Sequence, residues 1–210
     1  MTTPDRSRWR RAFASLQDRA EEWIYRQNER DHWIFQLYDR GNEGWARLAF
    51  RGLRRRAGQL DGPIRASGGL DARVCFLQPV DEEAFAELLG SFDFKYLPPH
   101  GLDPASARAA LRRSSYLPFG IFVEERLVGY LLLRLFFPRR AVTGIWTLPE
   151  THNLGLAQES LRQTGAFTSS ERMADYATIP IDNPNSLRVA NAAGWQVIRT
   201  NRRFHVLLHQ

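Results

Sequence analysis

The sequence predicts an α+β domain with a mixed, mostly antiparallel sheet and flanking helices, preceded by a helical extension. Apolar residues recur at helical spacing in the N-terminal quarter and change to short strand-like runs after residue 73. Two apolar runs flank the charged turn 124–126, as in a β-hairpin. From residue 73 the elements follow the order β-α-α-β-β-β-α-β-α-β-β, which is typical of a mixed sheet covered by helices.

The N-terminal quarter is predicted to form two helices. Apolar residues at helical spacing run from Trp9 to Tyr38, and Gly41 is expected to end that helix. A second helix is expected from Asn42 to about Arg56.

A glycine-rich segment after these helices predicts a domain boundary. We therefore divide the chain into an Arg-rich extension at 1–60, a linker at 61–70 and a domain at 71–210. On this division the extension is expected to be dispensable for binding a ligand of the domain, although not for solubility or assembly.

The basic charge is concentrated in the extension. The chain has a net charge of +6, and residues 1–56 carry 13 arginines against 8 acidic residues. Lys95 is the only lysine. We interpret the arginines as a solvated helical face, which makes nucleic-acid binding the less favoured interpretation. Contact with a membrane surface or an acidic partner through 1–56 is the alternative.

Composition excludes several classes of protein. Apolar residues make up 43% of the chain, which is sufficient for a folded core. Cys75 is the only cysteine, so neither a disulfide framework nor a cysteine-based zinc site is expected, and no metal is predicted. The N-terminus lacks the apolar segment of a signal peptide, and no apolar run is long enough to cross a bilayer. We therefore expect a cytoplasmic protein.

The elements of the domain follow from short apolar runs and their Pro, Gly and Asp boundaries. Helices are predicted near 81–89, 103–113, 154–164 (closed by Gly165) and 183–193. Strands are predicted near 73–77, 119–123, 127–135, 141–148, 174–179, 195–199 and 204–209.

One short stretch, Pro149-Glu150-Thr151-His152-Asn153-Leu154-Gly155-Leu156-Ala157, is a candidate anion site. Gly155 falls in the predicted first turn of a helix, where glycine costs about 1 kcal/mol relative to alanine. The free N–H groups and dipole of a helix N-terminus favour a phosphate, and small side chains let it approach the backbone. A merely weak helix start is the alternative.

Two motifs resemble the GNAT superfamily of acyl-CoA-dependent N-acyltransferases. The acyl-CoA loop of that family has Arg or Gln, two residues, Gly, one residue, then Gly or Ala. Here His152 stands at the Arg/Gln position, and Gly155 and Ala157 match. The segment Asn183-Pro184-Asn185-Ser186-Leu187-Arg188-Val189, followed by Gly194-Trp195, resembles the family's second signature. Its serine and Arg-Val pair are most similar to the branch that includes ribosomal-protein N-terminal acetyltransferases. The resemblance covers about residues 73–210.

The resemblance implies a GNAT-like fold and acetyl-CoA, or another acyl-CoA, as co-substrate. It places the pyrophosphate on the amides of Asn153, Leu154, Gly155, Leu156 and Ala157. His152 departs from the family's Arg or Gln, although its imidazole can still donate a hydrogen bond to phosphate. It implies a bulge or splay between the strands at 141–148 and 174–179, where the pantetheine arm would lie, lined by the backbones of Thr147 and Leu148. Asn183 and Ser186 are further cofactor-side candidates.

Transfer of an acyl group from a thioester to an amine needs a neutral amine, a stabilised oxyanion and a proton for the leaving thiolate. Many family members use a tyrosine as acid where this chain has Ala190, so Ser186 is the candidate acid. It is equally interpretable as a hydroxyl satisfied at the start of a helix. The candidate bases are Glu150, Asp175, Asp182 and His100, of which Glu150 is alternatively a helix-dipole partner and Asp182 a helix cap.

The resemblance implies that the acceptor binds on the side formed by the region between the strand at 73–77 and the hairpin at 119–135. Tyr96 and His100 lie there beside a rigid Pro-Pro pair. We expect a small-molecule primary amine such as an amino sugar. A protein N-terminus is one alternative, and a non-catalytic CoA-binding module is another. The apolar stripes of the N-terminal helices need a partner surface, which is either the domain or a second copy in a homodimer.

Overall fold

The structure is a computed structural model that describes residues 33–67, 69–91 and 104–209. The chain divides into two compact units, Met1–Gly41 and Asn42–Gln210. Helix α1 (Trp33–Ala49) runs across this division.

The described elements are six helices, eight strands and two short 3-10 turns, all of which belong to the second unit except the start of α1. The helices are α1 (Trp33–Ala49), α2 (Leu53–Ala57), α3 (Glu82–Gly90), α4 (Pro104–Arg112), α5 (Leu156–Ser170) and α6 (Pro184–Ala192). The strands are β1 (Asp61–Arg65), β2 (Asp71–Phe76), β3 (Tyr116–Val123), β4 (Arg126–Phe136), β5 (Arg140–Thr147), β6 (Ala174–Pro180), β7 (Trp195–Thr200) and β8 (Phe204–His209). The 3-10 turns are Pro149–Thr151 and Pro79–Asp81.

All eight strands form one sheet in the order β1-β2-β3-β4-β5-β6-β8-β7. Every neighbouring pair is antiparallel except β5 and β6, which are parallel and joined by α5. The predicted fold class, a mixed and mostly antiparallel sheet with flanking helices, is confirmed.

Helix α5 packs on one face of the sheet and contacts strands from both of its halves. Its contacts include β1, β5 and β6, although β1 lies four strands away from β5. Gln163 Nε2 on α5 donates to the Pro63 carbonyl at 2.8 Å, and Glu171 accepts from Arg56 at 2.6 and 2.9 Å. The sheet therefore curves around this helix.

The other face of the sheet carries α3 and α4. Phe85 of α3 packs edge-on against Tyr130 of β4, with ring centroids 5.2 Å apart. From Gly129 of β4 onward and along β5, side chains alternate between the two faces, so even-numbered residues lie on the α3 side and odd-numbered residues on the α5 side.

Three boundaries differ from those predicted. Gly41 does not end a helix, because α1 continues through it to Ala49 and no neighbouring group would obstruct a side chain there. The prediction of a linker is wrong for Asp61–Arg65, which pairs with β2 along its whole length. Gly165 lies inside α5 rather than at its end, and a Cβ there would be 2.5 Å from His209 Nε2. That glycine serves close packing of a strand side chain.

Residues 42–57 belong to the sheet domain and are not a detachable extension. The Glu43 carboxylate accepts from the Ser114 and Ser115 N–H groups at 2.8 and 2.9 Å and from the Ser115 hydroxyl at 2.7 Å. Arg54 donates to the Arg113 and Tyr116 carbonyls at 2.6 and 2.8 Å, and also to the Leu111 carbonyl. Burial alone would raise the pKa of Glu43, but the hydrogen bonds that Glu43 accepts from Ser114 and Ser115 help to outweigh burial, and its pKa is lowered.

Candidate functional site

Strands β5 and β6 separate after three paired residues, which opens a gap in the middle of the sheet. The last pair is Val142 with Tyr176, whereas β5 continues to Thr147 and β6 to Pro180. The predicted splay between these strands is observed.

The backbone of β5 presents hydrogen-bonding groups to this gap. The Leu148 N–H donates to the Val128 carbonyl at 2.8 Å, and the Leu148 carbonyl accepts from Thr151. Both backbone groups of Leu148 therefore already have partners within the chain, and its predicted role in lining a bound arm stays a prediction. Antiparallel bonding alternates, so the backbone groups of Thr147 and Ile145 point away from β4 and toward the gap. The sequence did not indicate Ile145 as a site residue, because an apolar strand side chain gives no sign that the backbone beside it is unpaired.

The loop after β5 leads into the N-terminus of α5, where Gly155 differs from its predicted role. Gly155 precedes the helix in the left-handed conformation, with φ of 80°, and does not lie in the first turn. No side chain caps this helix, and a Cβ at 155 would meet only the Arg65 carbonyl, at 3.9 Å. The N–H groups of Leu156 and Ala157 have no partner within the helix. The arrangement suits an anion.

The rest of the loop is exposed and held by backbone bonds. His152 is exposed and its N–H donates to the Pro149 carbonyl at 3.1 Å. Asn153 adopts φ of 65°, a conformation that asparagine tolerates better than most residues. The Leu154 carbonyl accepts from the Ser67 N–H at 2.9 Å, which fixes the turn between β1 and β2 against the loop.

Asp175 of β6 is buried beneath the start of the gap. Its carboxylate accepts from Thr143 Oγ1 at 2.6 Å and from Thr168 Oγ1 of α5 at 3.1 Å. Burial raises the pKa of Asp175 to about 7, against the lowering effect of the two hydroxyls. Because only 1% of the residue is exposed, Asp175 is placed to hold elements together rather than to receive a proton from a substrate.

The remaining predicted residues are dispersed. Glu150 is exposed and forms an ion pair with Arg126 at 3.4 Å. Asn183 caps α6 by accepting from the Ser186 N–H at 3.2 Å, so the cap is Asn183 and not Asp182.

The Ser186 side chain is exposed at the start of α6. Ala190, which stands at the family's tyrosine position, is buried. Tyr96 and His100 lie outside the described residues, so their predicted roles stay predictions.

An aromatic wall on the α3 face of the gap was not predicted. Trp146 of β5 stacks on its cross-strand partner Tyr130, with centroids 5.0 Å apart and planes 19° apart. The edge of the indole lies over Gly144, where a Cβ would be 2.5 Å from Trp146 Cη2. A glycine two positions before a tryptophan in a strand is the signal that could have indicated this packing.

Within 33–67, 69–91 and 104–209, no group of three or more His, Cys, Asp or Glu side chains is arranged to hold a metal ion. No helix in that part of the chain is long and apolar enough to cross a membrane.

The fold is similar to those of solved acetyltransferase structures. The GNAT domain of S. lividans PAT superposes with a TM-score of 0.60 at 13% identity, over 71% of this chain and 96% of that one. Mycobacterium smegmatis RimJ, solved with CoA-disulfide, has a TM-score of 0.54 at 19% identity, over 70% and 85% of the two chains. Aminoglycoside acetyltransferase AAC(6')-Ib, solved with coenzyme A and kanamycin, has 0.54 at 13% identity, over 66% and 94%.

At these identities the likeness establishes a GNAT-like fold and nothing finer. No protein-family model matches the chain, and no curated protein matches it.

Proposed function

We propose that this protein is an acyl-CoA-dependent N-acyltransferase that moves an acetyl or other short acyl group to a primary amine. Two neighbouring features together carry the proposal: the gap between β5 and β6, and the N-terminus of α5, which has no side-chain cap and is reached by the loop after β5. An acyl-CoA has a peptide-like arm that would fit the gap and a pyrophosphate that would bind at the helix N-terminus. The GNAT-like fold supports the same assignment.

The pantetheine arm carries two amides that require hydrogen-bond partners when they leave water. Thr147 and Ile145 present backbone groups toward the gap and would pair with them. The pyrophosphate would accept from the N–H groups of Leu156 and Ala157, with Gly155 leaving room for its approach. The exposed His152 imidazole would add a donor in place of the family's Arg or Gln.

In the reaction, the lone pair of the amine nitrogen attacks the thioester carbonyl carbon and the carbon–sulfur bond breaks. The electron pair leaves with sulfur, the nitrogen loses a proton to a base, and the thiolate takes a proton. We propose that the exposed hydroxyl of Ser186 donates the proton that the thiolate takes, because Ala190 has no acidic group. Glu150, in the loop before α5, and His100 are the proposed bases. Breaking the Arg126 pair of Glu150 would be part of that role.

We propose an amino sugar as the acceptor. We also propose that the enzyme is cytoplasmic. A protein N-terminus is the second candidate, because Ser186 and the Arg188-Val189 pair resemble the ribosomal-protein branch. Buried Ala190 favours a third, a module that binds CoA without catalysis.

Calorimetric titration with acetyl-CoA, followed by thiol release with a panel of amines, tests the proposal. We expect acetyl-CoA to bind and thiol release to depend on the amine. Binding without amine-dependent release would favour the non-catalytic module, and absence of acetyl-CoA binding would overturn the proposal.

A further inference from the structure

We infer that Asp175 is a positioning residue of the proposed acyl-CoA site, and that the site binds acyl-CoA with this carboxyl in its neutral form. The inference rests on the proposed acyl transfer and adds a proton-linked group outside the loop and helix N-terminus that would hold the pyrophosphate. Asp175 acts through the strand and the helix that it joins, by way of Thr143 and Thr168.

Thr168 has one hydroxyl proton but two acceptors within reach. Its Oγ1 lies 2.9 Å from the Gly165 carbonyl oxygen and 3.1 Å from Asp175 Oδ2. A neutral Asp175 with its proton on Oδ2 can donate to Thr168 Oγ1, and Thr168 then donates to the Gly165 carbonyl. The Thr143 hydroxyl, 2.6 Å from Oδ1, donates to the other oxygen of the acid. The neutral acid therefore completes a chain of hydrogen bonds from β5 to α5.

The ionised acid satisfies this chain less well. Thr168 must then give its single proton either to the carboxylate or to the Gly165 carbonyl. Among the described residues the carboxylate has two donors, Thr143 and Thr168, although only 1% of Asp175 is exposed to water. Burial accordingly raises the pKa of Asp175 to about 7. A carboxylate at this position is stabilised by any water that can reach it.

The gap begins directly beside Asp175. The last pair of β5 and β6 is Val142 with Tyr176, and Thr143 is the first residue beyond it. Water that solvates the carboxylate would enter here, in the space proposed for the pantetheine arm, and a displaced Thr143 would change the separation of the strands. An arm that fills this space therefore favours the neutral acid. Binding to the ionised form takes up one proton from solvent, which goes to Asp175 Oδ2.

Direct repulsion between Asp175 and the pyrophosphate is too weak to explain the coupling. Thr168 lies twelve residues after Leu156, the first residue of α5. At a rise of about 1.5 Å per residue the two ends are about 18 Å apart. That distance is roughly twice the Debye length at physiological ionic strength. The coupling therefore comes from the position of the strands and from water in the gap.

The other ionisable groups on the elements around Asp175 are paired, exposed or on the opposite face. Arg139 donates to the Glu171 carbonyl at 2.7 Å, and the Arg140 guanidinium lies 6.0 Å from the Tyr176 ring on the α3 face. The full set comprises Glu159, Arg162 and Glu171 on or after α5, Arg139 and Arg140 at the start of β5, Arg172 before β6, and His205 and His209 on β8.

His209 is the nearest of these groups by register. It lies one position beyond the Tyr176–Leu208 pair, on the same face as Asp175. Its Nδ1 is 3.3 Å from Ser169 Oγ, and burial lowers the pKa of His209 below its usual value. Its imidazole is therefore mostly neutral at pH 7 and above, so it does not supply the charge change expected of Asp175.

The test is calorimetric titration of the full chain with acetyl-CoA at pH 6 and pH 8, for the wild-type protein and Asp175→Asn. Asparagine reproduces the neutral acid, with an N–H donor in place of the O–H, and cannot ionise. If only the neutral form binds, about a tenth of the wild-type protein is competent at pH 8. The loss of affinity between pH 6 and pH 8 should therefore be about tenfold larger in the wild-type protein than in Asp175→Asn. Titration of the acetyl-CoA phosphates and of His152 is common to both proteins and cancels in this comparison.

A pair of variants at Thr143 provides a second measurement should Asp175→Asn fold poorly. Thr143→Val removes a donor to the carboxylate and raises the pKa of Asp175 further, so the loss of affinity moves to higher pH and the loss between pH 6 and pH 8 becomes smaller. Thr143→Ser retains the hydroxyl and should keep the wild-type loss.

Equal pH dependence in the wild-type protein and Asp175→Asn would overturn the inference. So would an affinity that falls more steeply with pH in Thr143→Val than in Thr143→Ser. Failure of the proposed function gives a different result, because the wild-type protein then does not bind acetyl-CoA at either pH, and the inference falls with it.

Discussion

Thr143 donates a hydrogen bond of 2.6 Å to Asp175 across the point at which β5 and β6 separate. Thr143 is the first residue of β5 beyond the paired segment, and Asp175 lies within it. Thr168 of α5 donates to the other carboxylate oxygen at 3.1 Å. One buried carboxyl therefore joins both strands and the helix that connects them, directly below the gap.

Asp175→Asn is expected to flatten the dependence of stability on pH. A pKa raised from 3.8 to about 7 means that folding favours the protonated acid, so its stability contribution is full below pH 3.8 and is lost as pH rises through 7. At pH 8 the variant should gain on the order of a few kcal/mol relative to wild type, less any cost of the amide geometry. Urea unfolding at pH 5 and pH 8 measures this difference.

Thr143→Val provides the opposite comparison. Removing a donor to the carboxylate should raise the pKa of Asp175 further, so that the stability lost between pH 5 and pH 8 increases. Equal pH slopes in wild type and Asp175→Asn would show that Asp175 does not titrate in this range.

Arg54→Met is expected to destabilise the sheet domain. The guanidinium donates to three carbonyls where α4 ends and β3 begins, and methionine preserves only the aliphatic stem. Leaving these acceptors without their charged donor should cost at least about 2 kcal/mol. Arg55→Met, at an exposed position in the same helix, should cost less than about 0.5 kcal/mol. Urea unfolding compares the two, and similar losses would contradict the assigned role of Arg54.

Periodicity and motif spacing predicted most of the sheet, but not the attachment of residues 42–57. Strands such as β3 and β4 are apolar runs with a charged turn between them, so local pattern suffices. Glu43 and Arg54 contact residues about 60 to 70 positions away, and nothing in their own surroundings indicates those partners. These contacts argue against the expectation that residues 1–60 are dispensable for binding, because 42–57 are bonded to the sheet domain. We now expect a chain beginning at residue 61 to be unfolded.

Glycines were the other source of error, because composition does not tell why a glycine is present. Gly155 is required by its left-handed backbone, whereas Gly144 and Gly165 make room for Trp146 and His209. In sequence all three resemble helix or strand breakers. The candidate cofactor loop was nevertheless located, since its motif depends on spacing rather than on conformation.

Gly165→Ala is expected to destabilise the protein although alanine favours helices. The added Cβ would be 2.5 Å from His209 Nε2, so the imidazole must move from its packing against Trp195. Such overpacking should cost about 1 to 3 kcal/mol.

Gly44→Ala is the control for Gly165→Ala. No group lies within 4 Å of a Cβ at Gly44 in α1, and the change should stabilise the protein by up to about 1 kcal/mol. Combining Gly165→Ala with His209→Ala should cost less than the sum of the single changes, and strict additivity in urea unfolding would contradict the clash.

The last prediction concerns Gly155 and uses a pair of variants with equal shape. Any side chain at 155 must adopt φ of 80°, so the cost of a helix former such as glutamate there would combine backbone strain with any effect on a ligand. Asparagine and aspartate tolerate this conformation best and differ only in charge. We expect Gly155→Asn and Gly155→Asp to lose similar stability, about 1 kcal/mol, with aspartate slightly favoured by the helix dipole.

If a pyrophosphate binds the N–H groups of Leu156 and Ala157, Gly155→Asp should bind acetyl-CoA at least about tenfold more weakly than Gly155→Asn, because a carboxylate then faces the phosphate. Calorimetric titration of both variants with acetyl-CoA, alongside their melting curves, makes the comparison. Equal affinities in two folded variants would exclude the pyrophosphate from this loop, and with it the main support for an acyltransferase.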